Sequence, residues 1–164
     1  MSTQEHLTGI DIKGTLPGPK TVALLAESKK YEPHSMSEHV PIAWKSGQRC
    51  YVEDVDGNVF LDLTSGVLVA NAGHSHPRLV AALKDQADKV VNSYDFVNEY
   101  RPALAQKLVE ITPANLDKAF ILSTGSESTE AAMKLARLYT GRKEIISFQG
   151  GFHGRTYGAM SAGG

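Results

Sequence analysis

The chain has 164 residues, 41% hydrophobic and 21% charged, which is enough apolar material for a packed core and excludes a disordered segment. Its 17 basic residues nearly balance 18 acidic ones, for a net charge of −1, so it has no electrostatic footprint for nucleic acid or an anionic membrane. The lone Cys50 excludes an internal disulfide, the 6 histidines follow no metal-ligand spacing, and no signal-peptide pattern or membrane-length apolar run is present; a reduced, cytoplasmic setting is expected.

Residues 1–17 are polar and punctuated by Gly and Pro, which predicts a loose arm, and the stretch from Gly18 to Ala26 is expected to dock on the body. Three strand-like runs follow, at 42–45, 49–55 and 59–63, separated by Ser46-Gly47-Gln48 and Asp56-Gly57-Asn58. Asp-Gly is a strong hairpin signal, so the pattern predicts an antiparallel meander with Trp44 and Tyr51 as packing residues. The chain is expected to divide near Ser65, with 1–65 as the arm and a small strand domain and 66–164 as the first part of a larger one.

Beyond Gly66 to Gly73, Pro77 suits the first turn of a helix, where its missing N–H is harmless. Val80, Leu83, Ala87 and Val90 mark that helix's buried face. Pro102 opens a further helix with Leu104, Leu108 and Ile111 inward, stopped by Pro113. The irregular stretch 92–98 between them reads equally as a pocket-lining loop or a plain connection.

Next come an apolar run at 118–122 (KAFIL), an amphipathic helix over 126–139, and a second apolar run at 144–148 (EIISF). Together they predict a βαβ unit with parallel strands and a right-handed crossover. Thr124 with Glu127 three residues on fits a capping box, which places the helix start between strand and helix. Gly125 has no Cβ to hold a ligand off the backbone, and a helix's first turn offers unpaired N–H groups at the positive end of its dipole. That combination suits a phosphate, with the Ser126 and Ser128 hydroxyls as further donors. Phe152, His153 and Arg155 follow the second apolar run, beyond strand ends where open parallel sheets bind ligands. Singly, they read as a core aromatic, a loop hydrogen-bonder and a solvated cation. Together at one sheet edge they point to a ligand site.

Three strings, SGVLVANAGHSHPRLVAAL (65–83), STGSESTEAAMKLAR (123–137) and GGFHGRT (150–156), resemble the class III pyridoxal-phosphate-dependent aminotransferases. The resemblance implies an α/β protein of pyridoxal-phosphate-dependent transferase fold type I: a small-domain β-meander followed by the first, truncated part of the large αβα domain. It also implies pyridoxal 5'-phosphate as cofactor, with Gly125 and Ser126 holding its phosphate, Phe152 stacked on the pyridine ring and His153 packed beside it. Arg155 would bind a substrate carboxylate, and Val67 would line the substrate pocket. The implied reaction moves an amino group from an ω-amino acid or amine, such as 4-aminobutyrate, to a 2-oxo acid such as 2-oxoglutarate. The family forms homodimers with active sites at the interface.

The family's Schiff-base lysine and the carboxylate on the pyridinium nitrogen are expected from strands beyond Gly164, so no catalytic residue is assigned in this chain. None of its 11 lysines stands in the matching context, Lys134 in mid-helix included. The chain therefore reads as the N-terminal part of a longer enzyme. Residues 111–141 also resemble the 2,2-dialkylglycine decarboxylase branch, which carries glutamine at the position of Val67 and methionine at that of Arg155. Mutases and racemases share the fold. A degenerate binding or dimerisation module is the reading from another class, favoured by the missing lysine.

Overall fold

The computed structural model describes residues 7–37 and 40–163. Two compact units make up the chain, Met1–Val91 and Asn92–Gly164.

The first unit is built on the expected meander: β1 (Trp44–Gln48), β2 (Tyr51–Asp54) and β3 (Val59–Leu61), adjacent in that order and antiparallel throughout. The first reversal lies elsewhere than expected. Ser46, Gly47 and Gln48 belong to β1, pairing with Glu53, Val52 and Tyr51, and the chain turns at Arg49 and Cys50. Arg49 takes a φ of 55° there, held by exchanging both backbone hydrogen bonds with His74 at 2.9 and 2.7 Å. Gly47 is a packing position rather than a turn residue, because an added Cβ would lie 3.0 Å from the His74 side chain. Trp44 meets the same imidazole edge-on, with ring centroids 5.4 Å apart. Cys50 is exposed in the turn rather than part of a strand.

The second turn is where Asp56-Gly57-Asn58 placed it, with Gly57 at a φ of 88°. Its centre is a buried polar pair. The Asp54 carboxylate accepts from the Asp56 N–H (2.9 Å), the Asn58 N–H (2.8 Å) and the Asn58 side-chain amide (2.7 Å). Such a group is tolerated inside only because its lone pairs are met. Val52 and Val59 supply the apolar part of this core.

Asp56 next door accepts from the N–H groups of Lys20 and Thr21 at 2.9 and 2.8 Å, so the hairpin caps helix α1 (Pro19–Tyr31). The N-cap residue Gly18 has no side chain to do this, and a Cβ on it would collide with Asp56. The docking expected after Gly18 is therefore a backbone-to-carboxylate joint.

The arm is not loose over its described part. Asp11 exchanges both backbone bonds with Val59 (3.0 and 2.7 Å), Lys13 donates its N–H to Asn58 Oδ1, and Leu7 donates to Gln48 Oε1. The free edge of β3 and the buried Asn58 carbonyl need partners, and the arm provides them. Residues 1–6 lie outside the described residues.

A four-residue helix α2 (His34–Ser37) precedes the sheet, and a single turn α3 (Ser65–Leu68) follows it. Helix α4 (Pro77–Ala87) then carries Pro77 in its first turn, as expected.

In the second unit, α5 (Tyr100–Ile111) starts two residues before Pro102, because Asn98 Oδ1 caps the N–H groups of Tyr100 and Arg101. It stops at Thr112, in extended backbone ahead of Pro113. Helix α6 (Gly125–Thr140) matches the expected span to within one residue at each end and closes on Gly141 at a φ of 69°. The short α7 (Tyr157–Ser161) completes the unit.

The predicted βαβ strands are the main correction. Residues 118–122 and 144–148 form no strand, and Phe120, Ile146 and Phe148 are 80%, 99% and 88% exposed. An apolar run becomes a central strand only when neighbours take its N–H and C=O groups on both sides. Among the described residues the only sheet is the meander. The helix faces expected to be buried are open for the same reason: Leu83, Ile111, Leu135 and Leu138 have no sheet to lie on. No helix among the described residues is long and apolar enough to cross a membrane, and no group of ligating side chains among them could hold a metal ion.

Candidate functional site

In the second unit the helix N-terminus expected to hold a phosphate is a capped one. Thr124 Oγ1 accepts the Glu127 N–H at 3.1 Å, and the Glu127 carboxylate returns to the N–H groups of Ser123 (3.0 Å) and Thr124 (3.1 Å). Ser128 N–H is already bonded to the Thr124 carbonyl. That leaves the N–H groups of Gly125 and Ser126 without a partner among the described residues, at the positive end of a 16-residue helix. A Cβ on Gly125 would meet nothing within 4 Å, so the space before the helix is open to a ligand. The Ser128 hydroxyl does not join the cradle. It donates to the Thr124 carbonyl at 3.0 Å, one turn back.

The loop carrying the other expected residues crosses this helix terminus. Ser126 Oγ accepts the Arg155 N–H at 3.1 Å, across 29 residues of sequence, and its own proton has no acceptor among the described residues. Gly154 passes so close that a Cβ on it would collide with Ser126, and its φ of 127° excludes most other residues. Phe152 is 77% exposed, and His153 and Arg155 are exposed with it. The gathering of these residues thus comes from a loop-to-helix contact rather than from parallel strand ends. Open space, two free N–H groups and a free hydroxyl proton fit a phosphate monoester. Gly154 was not singled out in the sequence, although a glycine wedged between His153 and Arg155 is the kind of signal that marks a close backbone approach.

Val67 stands in the first unit, in the turn α3. All four residues of that turn have positive φ: 51° at Ser65, 59° at Gly66, 64° at Val67 and 67° at Leu68. They form one left-handed helical turn, closed by Leu68 N–H to the Thr64 carbonyl at 2.7 Å. Val67 projects outward, 79% exposed. Asp62 organises the approach to this turn. Its carboxylate accepts from the Thr64 N–H (2.8 Å) and hydroxyl (2.7 Å), the Gly66 N–H (2.9 Å) and His74 Nε2 (2.7 Å), which therefore carries the imidazole proton. The Asp-x-Thr spacing is the sequence signal that would have found it.

The Thr64 hydroxyl and the His74 imidazole hold the Asp62 carboxyl far below the ordinary carboxylate range, against a smaller opposing effect of burial. Folded chain keeps this group ionised further into acid than unfolded chain does. Its stabilisation is therefore complete above the ordinary carboxylate pKa of about 4 and is lost as the pH falls below it. Replacing Asp62 by Asn should lower the urea midpoint at pH 6, with the gap to wild type narrowing at pH 3. An equal gap at both pH values would show that the carboxylate charge contributes nothing.

A family model described as aminotransferase class-III matches residues 33–164. The chain belongs to the class III aminotransferases. Among curated relatives of this class III aminotransferase chain, the acetylornithine aminotransferase of Methanopyrus kandleri is 40% identical over 134 residues, covering 81% of the chain and 34% of that enzyme. The alanine/serine racemase of Pyrococcus horikoshii is 36% identical over 148 residues, covering 88% of the chain and 31% of the racemase. The solved adenosylmethionine-8-amino-7-oxononanoate aminotransferase from Methanocaldococcus jannaschii superposes with a TM-score of 0.75 at 35% identity, over 87% of the chain and 36% of that structure. The chain spans about a third of the length of the relatives it matches. Its fold neighbours are pyridoxal-phosphate-dependent transaminases of fold type I, and class III aminotransferases use that cofactor.

Proposed function

We propose that this chain is the phosphate-binding segment of a pyridoxal-phosphate-dependent aminotransferase that moves an amino group from an ω-amino acid or amine to a 2-oxo acid such as 2-oxoglutarate. Residues 1–65 are its arm and small-domain strands, and 66–164 the first part of its large domain. The observation that carries the reading is the pair of unpartnered N–H groups at Gly125 and Ser126, with the loop 150–156 anchored across them. These N–H groups and the Ser126 hydroxyl hold the phosphate. Phe152 offers a flat aromatic face to the ring, His153 packs beside it, and Arg155 offers a planar fork that matches a substrate carboxylate. Val67 is assigned to lining a substrate pocket by the family resemblance alone. When bound, pyridoxal phosphate supplies an electron-accepting ring that labilises bonds at the amino-bearing carbon. The protein works as a cytoplasmic homodimer.

The racemase relative favours one second reading, in which the amino group stays on its carbon, the proton there is removed and returned on the opposite face, and no acceptor is needed. Full-length enzyme loaded with pyridoxal phosphate separates the two. With 4-aminobutyrate and 2-oxoglutarate, glutamate should form. Interconversion of D- and L-alanine without any 2-oxo acid, and no glutamate, would support racemisation. Cofactor binding with neither reaction would leave a binding module.

A further inference from the structure

Glu130 lies one turn below Ser126 on α6, on the same face by its spacing of four residues. It is fully engaged with the segment beyond Arg155. Its Oε1 accepts from the Thr156 hydroxyl at 2.6 Å, the Gly158 N–H at 2.9 Å and the Ala159 N–H at 3.1 Å. Thr156 is the N-cap of α7 and makes no side-chain cap of its own, so a carboxylate from another helix performs the capping. Gly158 rests against that carboxylate so closely that a Cβ would collide with it, and Ala159 is fully buried. The Thr156 hydroxyl and the Ala159 N–H hold the Glu130 carboxyl below its ordinary range, so it remains an anionic acceptor at neutral pH.

Ser126 and Glu130 therefore grip the crossing segment at two points, Arg155 by its N–H and Thr156, Gly158 and Ala159 by the bonds above. Between and beside those grips the Arg155 guanidinium makes no hydrogen bond or ion pair among the described residues. The point from which it reaches is set by where the backbone is held. We propose that Glu130 is a positioning residue for substrate specificity, fixing the backbone on which Arg155 presents its fork to a substrate carboxylate. The proposal rests on the aminotransferase reading above and adds a residue to it. Glu130 touches neither phosphate nor substrate, and it acts through Arg155.

The test compares two amino donors that differ in a carboxylate, 4-aminobutyrate and n-butylamine, in the donor half-reaction of full-length enzyme loaded with pyridoxal phosphate. Glu130→Ala should lower the ratio of kcat/KM for 4-aminobutyrate over n-butylamine about tenfold, mostly through KM for the acid. Glu130→Asp, which keeps the charge but withdraws it by one methylene, should fold and lower the ratio about threefold to fivefold. Glu130→Gln keeps an acceptor oxygen for the three donors and should recover most of the ratio. Amide hydrogen exchange at Gly158 and Ala159 should quicken at least tenfold in the Ala variant and far less in the Gln variant. A purely structural role predicts an equal fall for both donors, and an unchanged ratio in the Asp and Ala variants would overturn the proposal. Arg155→Met in the same assay separates the two levels. If it lowers the ratio while Glu130→Ala and Glu130→Asp do not, only the role of Glu130 fails. If it too leaves the ratio unchanged, the carboxylate reading of the site fails and takes this proposal with it.

Discussion

Valine in place of Gly125 is expected to raise the Kd for pyridoxal phosphate about 100-fold. The capping box already uses the Ser123, Thr124 and Glu127 N–H groups, so a phosphate held as proposed would depend on the two that remain, at Gly125 and Ser126. Hydrogen bonds to a charged group contribute about 1.5–3 kcal/mol each, and losing the approach to both costs about 3 kcal/mol, a factor near 100. Since a Cβ at this position meets no protein atom within 4 Å, the branched side chain displaces ligand and not structure. The unfolding free energy of the apoprotein in urea should accordingly stay within about the few tenths of a kcal/mol that helix propensity allows. Pyridoxal, which lacks the phosphate, should be weakened far less. Titration of the apoprotein by absorbance with both compounds checks the claim, and equal weakening of the two would move the phosphate away from Gly125.

The second large effect is expected at Arg155. Replacing it with Met should reduce kcat/KM for 4-aminobutyrate and for 2-oxoglutarate about 100-fold, because a desolvated carboxylate then loses a bidentate partner worth about 3 kcal/mol. Arg155→Lys keeps the charge without the fork and should cost about tenfold. The loop stays in place in both variants, since Ser126 holds the Arg155 backbone N–H and not its side chain. A neutral amine such as n-butylamine should be the substrate least affected. Half-reactions measured separately with the three compounds decide it. Equal rates for wild type and Arg155→Met with all three would return Arg155 to a solvated surface cation.

What was legible in the sequence is what residues within about four positions of each other decide. Thr124 and Glu127 are three apart and close the capping box on themselves; Pro77 and Asp56-Gly57 likewise carry their instructions locally. Strand formation at 118–122 and 144–148 was not decided locally, because the partners that would pair those backbones are absent from their own neighbourhood. Gly47 looked like a turn and proved to be the gap into which His74 fits, a relation spanning 27 positions that periodicity does not encode. The carboxylates were the least legible of all. Asp54, Asp62 and Glu130 were not singled out in the sequence and Asp56 was read only as part of a turn, yet each accepts backbone N–H groups and so fixes a turn or a helix end. Only a minority of the 18 acidic residues make such joints, and composition alone does not distinguish them from solvated charge.

The left-handed turn Ser65–Leu68 has a consequence for anyone who would stabilise this protein. A non-glycine residue in that conformation costs about 1–2 kcal/mol, and three of the four residues here are non-glycine. Val67 and Leu68 are 79% and 80% exposed, so burial among the described residues does not offset the strain. The backbone is locally frustrated at these positions, in the sense that the amino acids present disagree with the shape they adopt. Any stabilisation campaign guided by backbone preference would therefore begin by writing glycine or asparagine at 67 and 68, and would gain melting temperature from it. It would do so by erasing the side chain proposed to line the substrate pocket, so the easiest gain in robustness would come at a position proposed to bear on substrate choice.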